Sequence, residues 1–315
     1  MVRKPQPPQI LCVVGARPNF MKIAPIMRGL NHPQAGLSGK LVHTGQHYDA
    51  AMKTTFFEQL HIPQPDIDLE VGSGTHATQT ADIMKRFEPV LDEQRPHAVL
   101  VVGDVNSTIA CALVAVKKGI PVIHVEAGLR SGDRTMPEEI NRVLTDQISE
   151  LLFTTEKSAA DNLLREGIDP DRIHFAGNVM IDTLRYNLTQ AIPAMTTTSG
   201  LKKNGSRLGL TNGYGLLTLH RPANVDHPEV LQSVLVDISR DIPLVFPVHP
   251  RTRQRIIDAG LEPMIASSAL YMTGPLGYLE MLGMMKDARL VLTDSGGIQE
   301  ETGGRENRGN NCSLV

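Results

Sequence analysis

The sequence has little of what marks a secreted or membrane-bound protein. Its 315 residues include only three cysteines, Cys12, Cys111 and Cys312. Cys12 and Cys111 lie inside apolar runs, so we expect buried thiols in a reducing compartment and neither a disulfide nor a zinc site. No window approaches the roughly 20 apolar residues of a membrane span, and the first apolar run, Ile10 to Val14, is too short for a signal-peptide core. The sequence therefore predicts a cytoplasmic protein with no membrane partner.

An excess of positive charge is also missing. The net charge is −3 at pH 7, which argues against the basic surface of a nucleic-acid-binding protein. Hydrophobic residues make up 41% of the chain and charged residues 21%, so a packed core is expected and disorder is not. At roughly 150 residues per domain, the length suits two domains.

Short apolar runs alternate with longer helical patterns in the first part of the chain. Strands that are apolar on both faces and separated by helices predict a doubly wound α/β domain with a covered parallel sheet. The predicted strands are Ile10–Val14, Lys40–Thr44, Ala98–Val102, Val122–Val125, Leu151–Thr154 and Ile173–Ala176. The clearest predicted helices are Asn19–Leu30, Ala77–Glu93 and Ser107–Lys118, the last with Asn106 or Ser107 as its cap.

A polar stretch rich in Gly, Ser and Thr precedes a second α/β pattern. We place a Rossmann-like domain at 1–190, a linker at 191–212, a partial second Rossmann-like domain at 213–302 and a divergent tail at 303–315. The second set of predicted strands is Tyr214–Leu219, Leu244–Val248, Ala269–Met272 and Leu290–Thr293, and its helices are Pro228–Arg240, Arg251–Ala259 and Gly277–Lys286. Ligands of such sheets bind outside the carboxyl ends of the strands, so a ligand cleft between the two domains is expected.

Charged residues follow the predicted strands of the first domain. Arg17 and Lys22 come after the first strand, where they can form a positive pair for a diphosphate. Asp104 and Glu126 follow two later strands, and Glu138 opens a helix. Any one of these acids is readily explained as a helix cap or loop acid. Three at one rim indicate a site, because grouped carboxylates suit proton transfer to and from carbon.

Histidines follow two predicted strands of the second domain. His220 and His249 are each accompanied by an arginine, Arg221 and Arg251 respectively. A lone histidine is more often structural, but two such pairs at equivalent positions favour an anionic ligand. Neither histidine lies in a metal-ligand spacing, so no metal site is predicted.

The segment from Leu290 to Glu301 has the pattern of a strand, a tight turn and a helix start. The turn is Asp294-Ser295-Gly296-Gly297. Unpaired backbone N–H groups at a helix start attract phosphate. Glu300 and Glu301 lie about one turn further along, where a carboxylate can accept hydrogen bonds from ribose hydroxyls.

Taken as an ordered set, these motifs resemble the non-hydrolysing UDP-N-acetylglucosamine 2-epimerase family. The resemblance runs from about Ile10 to Thr302. Its matching segments are Gly15–Pro18, Gly103-Asp104, His124–Asp133, Met136–Arg142, Gly177–Asp182, His220-Arg221, Val248–Pro250 and Asp294–Glu301. The family has a fold like the two-Rossmann-domain glycosyltransferases, and it interconverts UDP-GlcNAc and UDP-ManNAc for surface polysaccharides.

The resemblance implies a reaction in which loss of the C2 proton is coupled to departure of UDP from C1. UDP then adds back to an enzyme-bound 2-acetamidoglucal while the proton is delivered to the other face. The implied catalytic residues are Asp104, Glu126, Glu138 and His220, and the implied UDP-binding residues are Arg17, Lys22, Arg142, His249, Ser295, Gly296, Gly297 and Glu301. No metal or redox cofactor is required, and the resemblance implies a homodimer.

The chain departs from the family in three places. Asn19 replaces an acid, and Gln46–Asp49 lacks the arginine of members with a regulatory UDP-GlcNAc site, so no allosteric activation is expected. After Thr302 the family's next strand, Arg-Pro-Glu segment and crossing helix are missing. An exposed apolar sheet edge would follow, so we expect reduced stability and little or no activity.

Three other functions stay open at this point. A glycosyltransferase of the same fold would share the phosphate turn but would need an acceptor site. A hydrolysing epimerase would release free ManNAc and UDP. A non-enzymatic chain would only bind UDP-sugar or pair with full-length subunits.

Overall fold

The computed structural model describes residues 7–45, 56–203, 206–207, 213–237, 243–303 and 310–313. The segment Gln46–Asp49, on which the regulatory expectation rests, lies outside these ranges. The chain divides into two compact units, Met1–Thr183 and Leu184–Val315. Each unit is built on a parallel β-sheet with helical connections.

The first unit contains a seven-stranded parallel sheet. Its elements are β1 (Gln9–Val14), α1 (Arg17–Leu30), β2 (Ser38–His43), a helical segment at 56–59, β3 (Ile67–Asp68), α2 (His76–Gln94), β4 (Ala98–Val102), α3 (Asn106–Lys117), β5 (Val122–Ala127), α4 (Pro137–Ile148), β6 (Leu151–Thr154), α5 (Lys157–Arg165), a 3₁₀ turn (Pro170–Arg172), β7 (Ile173–Phe175) and α6 (Val179–Asn187), which crosses into the second unit. The strand order is β3-β2-β1-β4-β5-β6-β7. Every strand predicted for this domain is confirmed to within two residues.

The centre of this sheet is buried on both faces. All five residues of β4 are buried, and so are Ile10 to Val14 of β1. Helices connect each of these parallel strands to the next, which explains why the strands are continuous apolar runs instead of alternating ones. Because the strands are parallel, their carboxyl ends lie at one edge of the sheet.

The start of α3 differs from the prediction. Val105 occupies the N-cap position and makes no side-chain capping bond. The Asn106 side chain instead donates to Gln79 Oε1 at 2.8 Å and accepts from Asn141 Nδ2 at 3.4 Å. The predicted capping role of Asn106 or Ser107 is therefore wrong, because these long-range amide contacts cannot be read from local sequence. Gly119, with φ of +72°, follows the end of this helix.

The second unit contains a five-stranded parallel sheet. Its elements are a 3₁₀ turn (Leu188–Gln190), α7 (Ala194–Thr197), β8 (Lys202–Lys203), β9 (Ser206–Arg207), β10 (Gly215–Thr218), α8 (Pro222–Val225), α9 (Pro228–Asp237), β11 (Leu244–Pro247), α10 (Pro250–Asp258), α11 (Glu262–Ser267), β12 (Leu270–Thr273), α12 (Tyr278–Asp287), β13 (Leu290–Thr293), α13 (Gly296–Gly303) and β14 (Asn310–Ser313). The strand order is β12-β11-β10-β13-β14, and β8 and β9 form a separate antiparallel pair within the predicted linker.

The tail contributes a strand that the sequence analysis does not predict. Strand β14 pairs in parallel with β13, with Leu290 opposite Asn310 and Thr293 opposite Ser313. Its polar sequence has no apolar alternation, which is why it carries no strand signal. Because β13 is paired on this side, the tail does not leave it as a bare sheet edge, contrary to the expectation from the sequence.

Cys12 and Cys111 are buried and unbridged, as expected. Burial raises the pKa of the Cys12 thiol to about 12 and raises that of Cys111 as well. Both therefore stay protonated and unreactive at neutral pH. Within the described residues, no helix combines the length and apolar character needed to cross a membrane.

Candidate active site

Two predicted catalytic acids lie at the carboxyl ends of neighbouring strands. Asp104 follows β4, and Glu126 lies at the end of β5, which pairs with β4 in parallel. The pairing of β5 with β6 shifts register between Val125 and Ala127, so Glu126 occupies a bulge. Its φ of +74° lies in the left-handed region, which a non-glycine residue rarely adopts. Strained backbone of this kind is concentrated at functional sites.

Lys22 lies against Glu126, a contact that the sequence does not predict. Its Nζ is 2.5 Å from Glu126 Oε2, and the two side chains are only 8% and 10% exposed. A glycine between β4 and Asp104 makes room for the lysine, since a Cβ on Gly103 would stand 3.1 Å from Lys22 Nζ. Lys22, which the sequence predicts to bind the diphosphate, is thus already paired with Glu126, a predicted proton carrier.

Arg142 joins Asp104 to a second acid that sequence reasoning missed. One guanidinium nitrogen pairs with the Asp104 carboxylate, and another lies 3.4 Å from Glu139 Oε2. Buried Glu139 also accepts hydrogen bonds from the backbone N–H groups of Ser131 and Gly132, both at 3.0 Å. Burial raises the pKa of Glu139, but these hydrogen bonds and Arg142 more than offset it and lower the pKa overall. The i, i+3 spacing of Glu139 and Arg142 was the available signal.

Glu138 lies in the first turn of α4 and is half-buried. The positive end of the helix dipole favours a carboxylate there. Within the described residues its carboxylate makes no hydrogen bond or ion pair, in contrast to Asp104 and Glu126. The structure therefore brings Asp104 and Glu126 to one strand edge with cationic partners, and it places Glu138 on the helix that carries Arg142.

Asn19 fastens the start of α1 to the end of β4. Its Oδ1 accepts from the N–H groups of Gly15 and Ala16 at 3.2 and 3.0 Å, and its Nδ2 donates to the Val102 carbonyl at 3.0 Å. A carboxylate has no proton with which to make the last bond. The departure from the family at this position thus has a structural role. Arg17 begins α1, but its side chain lies outside the described part of the structure.

A buried histidine, His124, lies within β5, two residues before Glu126. Its Nδ1 is 2.6 Å from Asp146 Oδ1 and its Nε2 is 2.9 Å from the Gly103 carbonyl oxygen. The Asp146 carboxylate also accepts from the Gly128 N–H at 3.1 Å and pairs with Arg130 at 2.8 Å. From the sequence alone, His124 is recognised only as part of a motif. The structure shows that His124, Asp146 and Arg130 form a connected network of charged groups.

His220 is held by an aspartate in the second unit. Asp294 Oδ1 is 2.6 Å from His220 Nδ1, and the Asp294 carboxylate also accepts from the backbone N–H of His220 and of Arg221 and from Asn224 Nδ2. Burial raises the pKa of Asp294, but the hydrogen bond from His220 and the other three donors hold it far below its usual range. The imidazole itself is 60% exposed, so an ionised Asp294 orients a histidine that solvent can reach.

The turn after β13 has the predicted form of a helix start. The Ser295 N–H donates to Thr293 Oγ1 at 2.9 Å, and Ser295 Oγ accepts from the Ile298 N–H at 3.4 Å. Gly296 is exposed, and a Cβ there would meet no atom within 4 Å. Gly297 follows as the second residue of α13 and is half-buried. The turn therefore offers open space next to the N-terminus of a helix.

Two other predicted ligands already have partners inside the second unit. Buried Glu301 accepts a hydrogen bond from the Tyr278 hydroxyl at 3.3 Å. His249 caps α10, since its Nδ1 accepts from the Arg251 N–H at 3.4 Å. Arg251 itself pairs with Asp226 at 2.7 Å, so the arginine expected to attract an anion already contacts a carboxylate.

These observations define an α/β protein of two doubly wound, Rossmann-like units with charged groups at the carboxyl ends of their strands. Within the described residues, no group of three or more His, Cys, Asp or Glu side chains is placed to hold a metal ion. The family model for UDP-N-acetylglucosamine 2-epimerase matches residues 31–303. The chain belongs to this family, whose members are epimerases.

Similar proteins carry two different substrate names. A UDP-N-acetylglucosamine 2-epimerase of Methanococcus maripaludis is 42% identical over 295 residues, which is 92% of this chain and 78% of the relative. A UDP-2,3-diacetamido-2,3-dideoxy-D-glucuronate 2-epimerase of Pseudomonas aeruginosa is 43% identical over 299 residues, covering 93% and 80% of the two chains. Sequence identity alone therefore does not distinguish between these two substrates.

Solved structures confirm the fold class. The Methanocaldococcus jannaschii UDP-GlcNAc 2-epimerase in complex with UDP-GlcNAc and UDP matches with a TM-score of 0.81 and 41% identity, covering 93% of this chain and 80% of that one. The Neisseria meningitidis enzyme bound to UDP-GlcNAc matches with a TM-score of 0.80 and 29% identity, covering 93% and 79%. The predicted pair of Rossmann-like domains of glycosyltransferase-B type is thus established.

Proposed function

We propose that this protein is a non-hydrolysing epimerase that interconverts UDP-GlcNAc and UDP-ManNAc. The observation that carries the proposal is the pair of carboxylates, Asp104 and Glu126, at adjacent strand ends, each with its own cationic partner. In a member of this family, such a pair is suited to moving a proton at C2 of the sugar. Glu138, whose carboxylate is not engaged, is the third proton carrier of the proposal.

The chemistry explains why several charged groups are needed. The C2–H bond of the sugar has no neighbouring carbonyl, so simple deprotonation is too costly. When a carboxylate takes the proton, the C2–H electrons form the C1–C2 double bond while the C1–O bond breaks and UDP leaves with that electron pair. Re-addition of UDP to C1, with a proton delivered to the opposite face of C2, completes the inversion without a net redox change.

The second unit supplies groups for the leaving diphosphate. His220 donates Nδ1–H to ionised Asp294, which leaves Nε2 as the nitrogen that can contact a phosphate oxygen. The turn at Ser295 and exposed Gly296 adds the N-terminus of a helix. In this proposal Arg17, Gly297 and His249 also contact UDP, and Glu301 contacts the ribose.

A second substrate is supported by the Pseudomonas aeruginosa relative. UDP-2,3-diacetamido-2,3-dideoxy-glucuronate presents the same C1–O and C2–H bonds, so the same acids can invert it. We propose UDP-GlcNAc as the preferred substrate. Purified protein should be given each nucleotide sugar in turn, and a higher kcat/KM for the diacetamido uronate would overturn this choice.

Positional isotope exchange tests the departure of UDP. UDP-GlcNAc carrying ¹⁸O at the sugar–phosphate bridge should scramble its label into non-bridging β-phosphate positions when C1–O cleavage is reversible. Scrambling with no free sugar supports the non-hydrolysing reaction, whereas release of ManNAc and UDP supports a hydrolysing enzyme. No scrambling and no product would leave UDP-sugar binding as the function. As further parts of the proposal, the enzyme acts as a cytoplasmic homodimer and supplies surface-polysaccharide precursors.

A further inference from the structure

Among the described residues, buried His124 hydrogen-bonds to neither the Asp104 nor the Glu126 carboxylate, yet it contacts the backbone that leads into Asp104. We propose that His124 is an imidazolium at neutral pH that positions Asp104 for proton transfer. This inference rests on the proposed function for its kinetic consequence. Its structural part, the charge of His124 and its hold on the Gly103–Asp104 peptide, stands independently.

The hydrogen-bond partners determine the charge. Nε2 faces the Gly103 carbonyl oxygen at 2.9 Å, and a carbonyl only accepts. Nδ1 faces Asp146 Oδ1 at 2.6 Å, and the other oxygen of that carboxylate receives the Gly128 N–H and the Arg130 guanidinium. The Gly128 N–H and the Arg130 guanidinium can only donate, and the positive charge of Arg130 favours an ionised Asp146. Both nitrogens of His124 must then carry protons.

The electrostatic balance agrees with this geometry. Burial lowers the pKa of His124, but the Asp146 charge, the hydrogen bonds to Asp146 and Gly103, and the charge of Glu126 outweigh it, so the pKa is raised overall. Burial raises the pKa of Asp146, and His124 and Arg130 more than offset this, so that pKa is lowered. The two shifts have the signs that a stable imidazolium–carboxylate pair requires.

One helix face holds Asp104 in two ways. Arg142 and Asp146 are one turn apart on α4, at positions i and i+4, and therefore project from the same face. Arg142 binds the Asp104 carboxylate directly. Asp146 binds His124, and His124 binds the carbonyl of the peptide that leads into Asp104. The carboxylate and the preceding peptide are thereby fixed together.

The hydrogen bond from His124 matters because the residue whose carbonyl it restrains, Gly103, is a glycine. Gly103 has φ of +66° and no side chain, so its backbone rotates more freely than that of any other residue type. Without a bond to its carbonyl, the peptide plane before Asp104 can turn and carry the carboxylate with it. A displacement of about 1 Å can cost about 100-fold in rate.

Two substitutions separate the two bonds of His124. In His124→Gln the amide nitrogen can reach the Nε2 position and still donate to Gly103, whereas in His124→Asn it reaches only the Nδ1 position. We expect kcat to fall by about 100-fold in His124→Asn and by about 10-fold in His124→Gln, with KM changed by less than about threefold in both. His174→Asn, at an exposed histidine on edge strand β7, is the control and should keep kcat within about twofold.

Nuclear magnetic resonance tests the structural part whether or not the protein turns over UDP-GlcNAc. In the wild type, the ¹⁵N signals of His124 should show both ring nitrogens protonated at neutral pH, where an ordinary histidine with a pKa of about 6.5 is mostly neutral. The Asp104 backbone amide should shift in His124→Asn and stay near its wild-type position in His124→Gln. Wild type that fails to exchange the C2 proton would refute the proposed function and leave this readout intact.

Three results would overturn the inference. The first is a neutral His124 tautomer at pH 7. The second is wild-type kcat in His124→Asn. The third is equal loss of kcat in both variants with equal loss of melting temperature, which would indicate a purely structural histidine.

Discussion

Lys22 and Glu126 form an ion pair with 2.5 Å between Nζ and Oε2, and neither side chain is more than 10% exposed. Glu126 also holds a left-handed backbone at a strand bulge. Burying two charges costs hydration energy that their attraction roughly repays, so the pair adds little stability compared with a hydrophobic one. We therefore infer that the Lys22–Glu126 ion pair serves to hold the Glu126 carboxylate in place.

Removing the lysine tests this relationship. Lys22→Met leaves Glu126 buried without a partner, and we expect the free energy of unfolding to fall by about 3 kcal/mol together with loss of epimerase activity. Urea denaturation measures the first effect. The double variant Lys22→Met with Glu126→Gln should recover part of the stability but none of the activity. An unfolding free energy for Lys22→Met equal to that of the wild type would show that the pair is not formed.

The second unit should show an acid-dependent contribution from Asp294. Its pKa is depressed in the folded protein, so its hydrogen bonds stabilise the fold above the unfolded-state pKa of about 3.9. That contribution is lost as the pH falls through the much lower folded-state pKa. We expect Asp294→Asn to cost at least about 2 kcal/mol at neutral pH and progressively less below about pH 4. Urea denaturation across pH measures this difference, and a cost that grows on acidification would contradict the assignment.

Gly15 is required by close packing. A Cβ there would lie 2.1 Å from Ser107 Oγ and 2.9 Å from Thr44 Oγ1, which hydrogen-bond to each other at 2.8 Å. Gly15→Ala should therefore destabilise the first unit by about 1–3 kcal/mol. Gly29→Ala is the matched control, because a Cβ at this position in α1 meets nothing within 4 Å and alanine favours a helix by up to about 1 kcal/mol. Equal melting temperatures for the two variants would contradict the packing argument.

The amide of Asn19 should not be replaceable by a carboxylate. Asn19→Asp keeps the acceptor for Gly15 and Ala16 but places an oxygen against the Val102 carbonyl, where Nδ2 now donates at 3.0 Å. We expect a loss of about 1–3 kcal/mol, since two buried acceptors then face each other. Thermal unfolding measures it, with Asn19→Ala as the comparison. A variant as stable as the wild type would indicate that the bond to Val102 contributes nothing.

The longer strands of both sheets, other than β14, were predictable because each is a short apolar run that needs no partner to be recognised. Residues Leu151–Thr154 and Leu290–Thr293 were predicted with their observed bounds. The acids at the strand ends were predictable once the strands were known, because parallel strands bring their carboxyl ends to one edge.

The contacts that organise the site were not predictable from sequence. His124 and Asp146 are 22 residues apart, and His220 and Asp294 are 74 apart, so no local pattern pairs them. Lys22 reaches Glu126 past Gly103, which follows β4 and has no Cβ to crowd the lysine. Strand β14 is recognisable only from its pairing with β13.

The fate of the C2 hydrogen most directly tests the claim that Asp104 and Glu126 move the proton at C2 of the sugar. Proton NMR of UDP-GlcNAc with the protein in D₂O follows the C2–H signal and the products together. The account predicts that deuterium enters C2 while UDP-ManNAc appears, and that Asp104→Asn and Glu126→Gln each abolish both changes. UDP-ManNAc that keeps its original C2 hydrogen, or turnover that persists without these carboxylates, would contradict it.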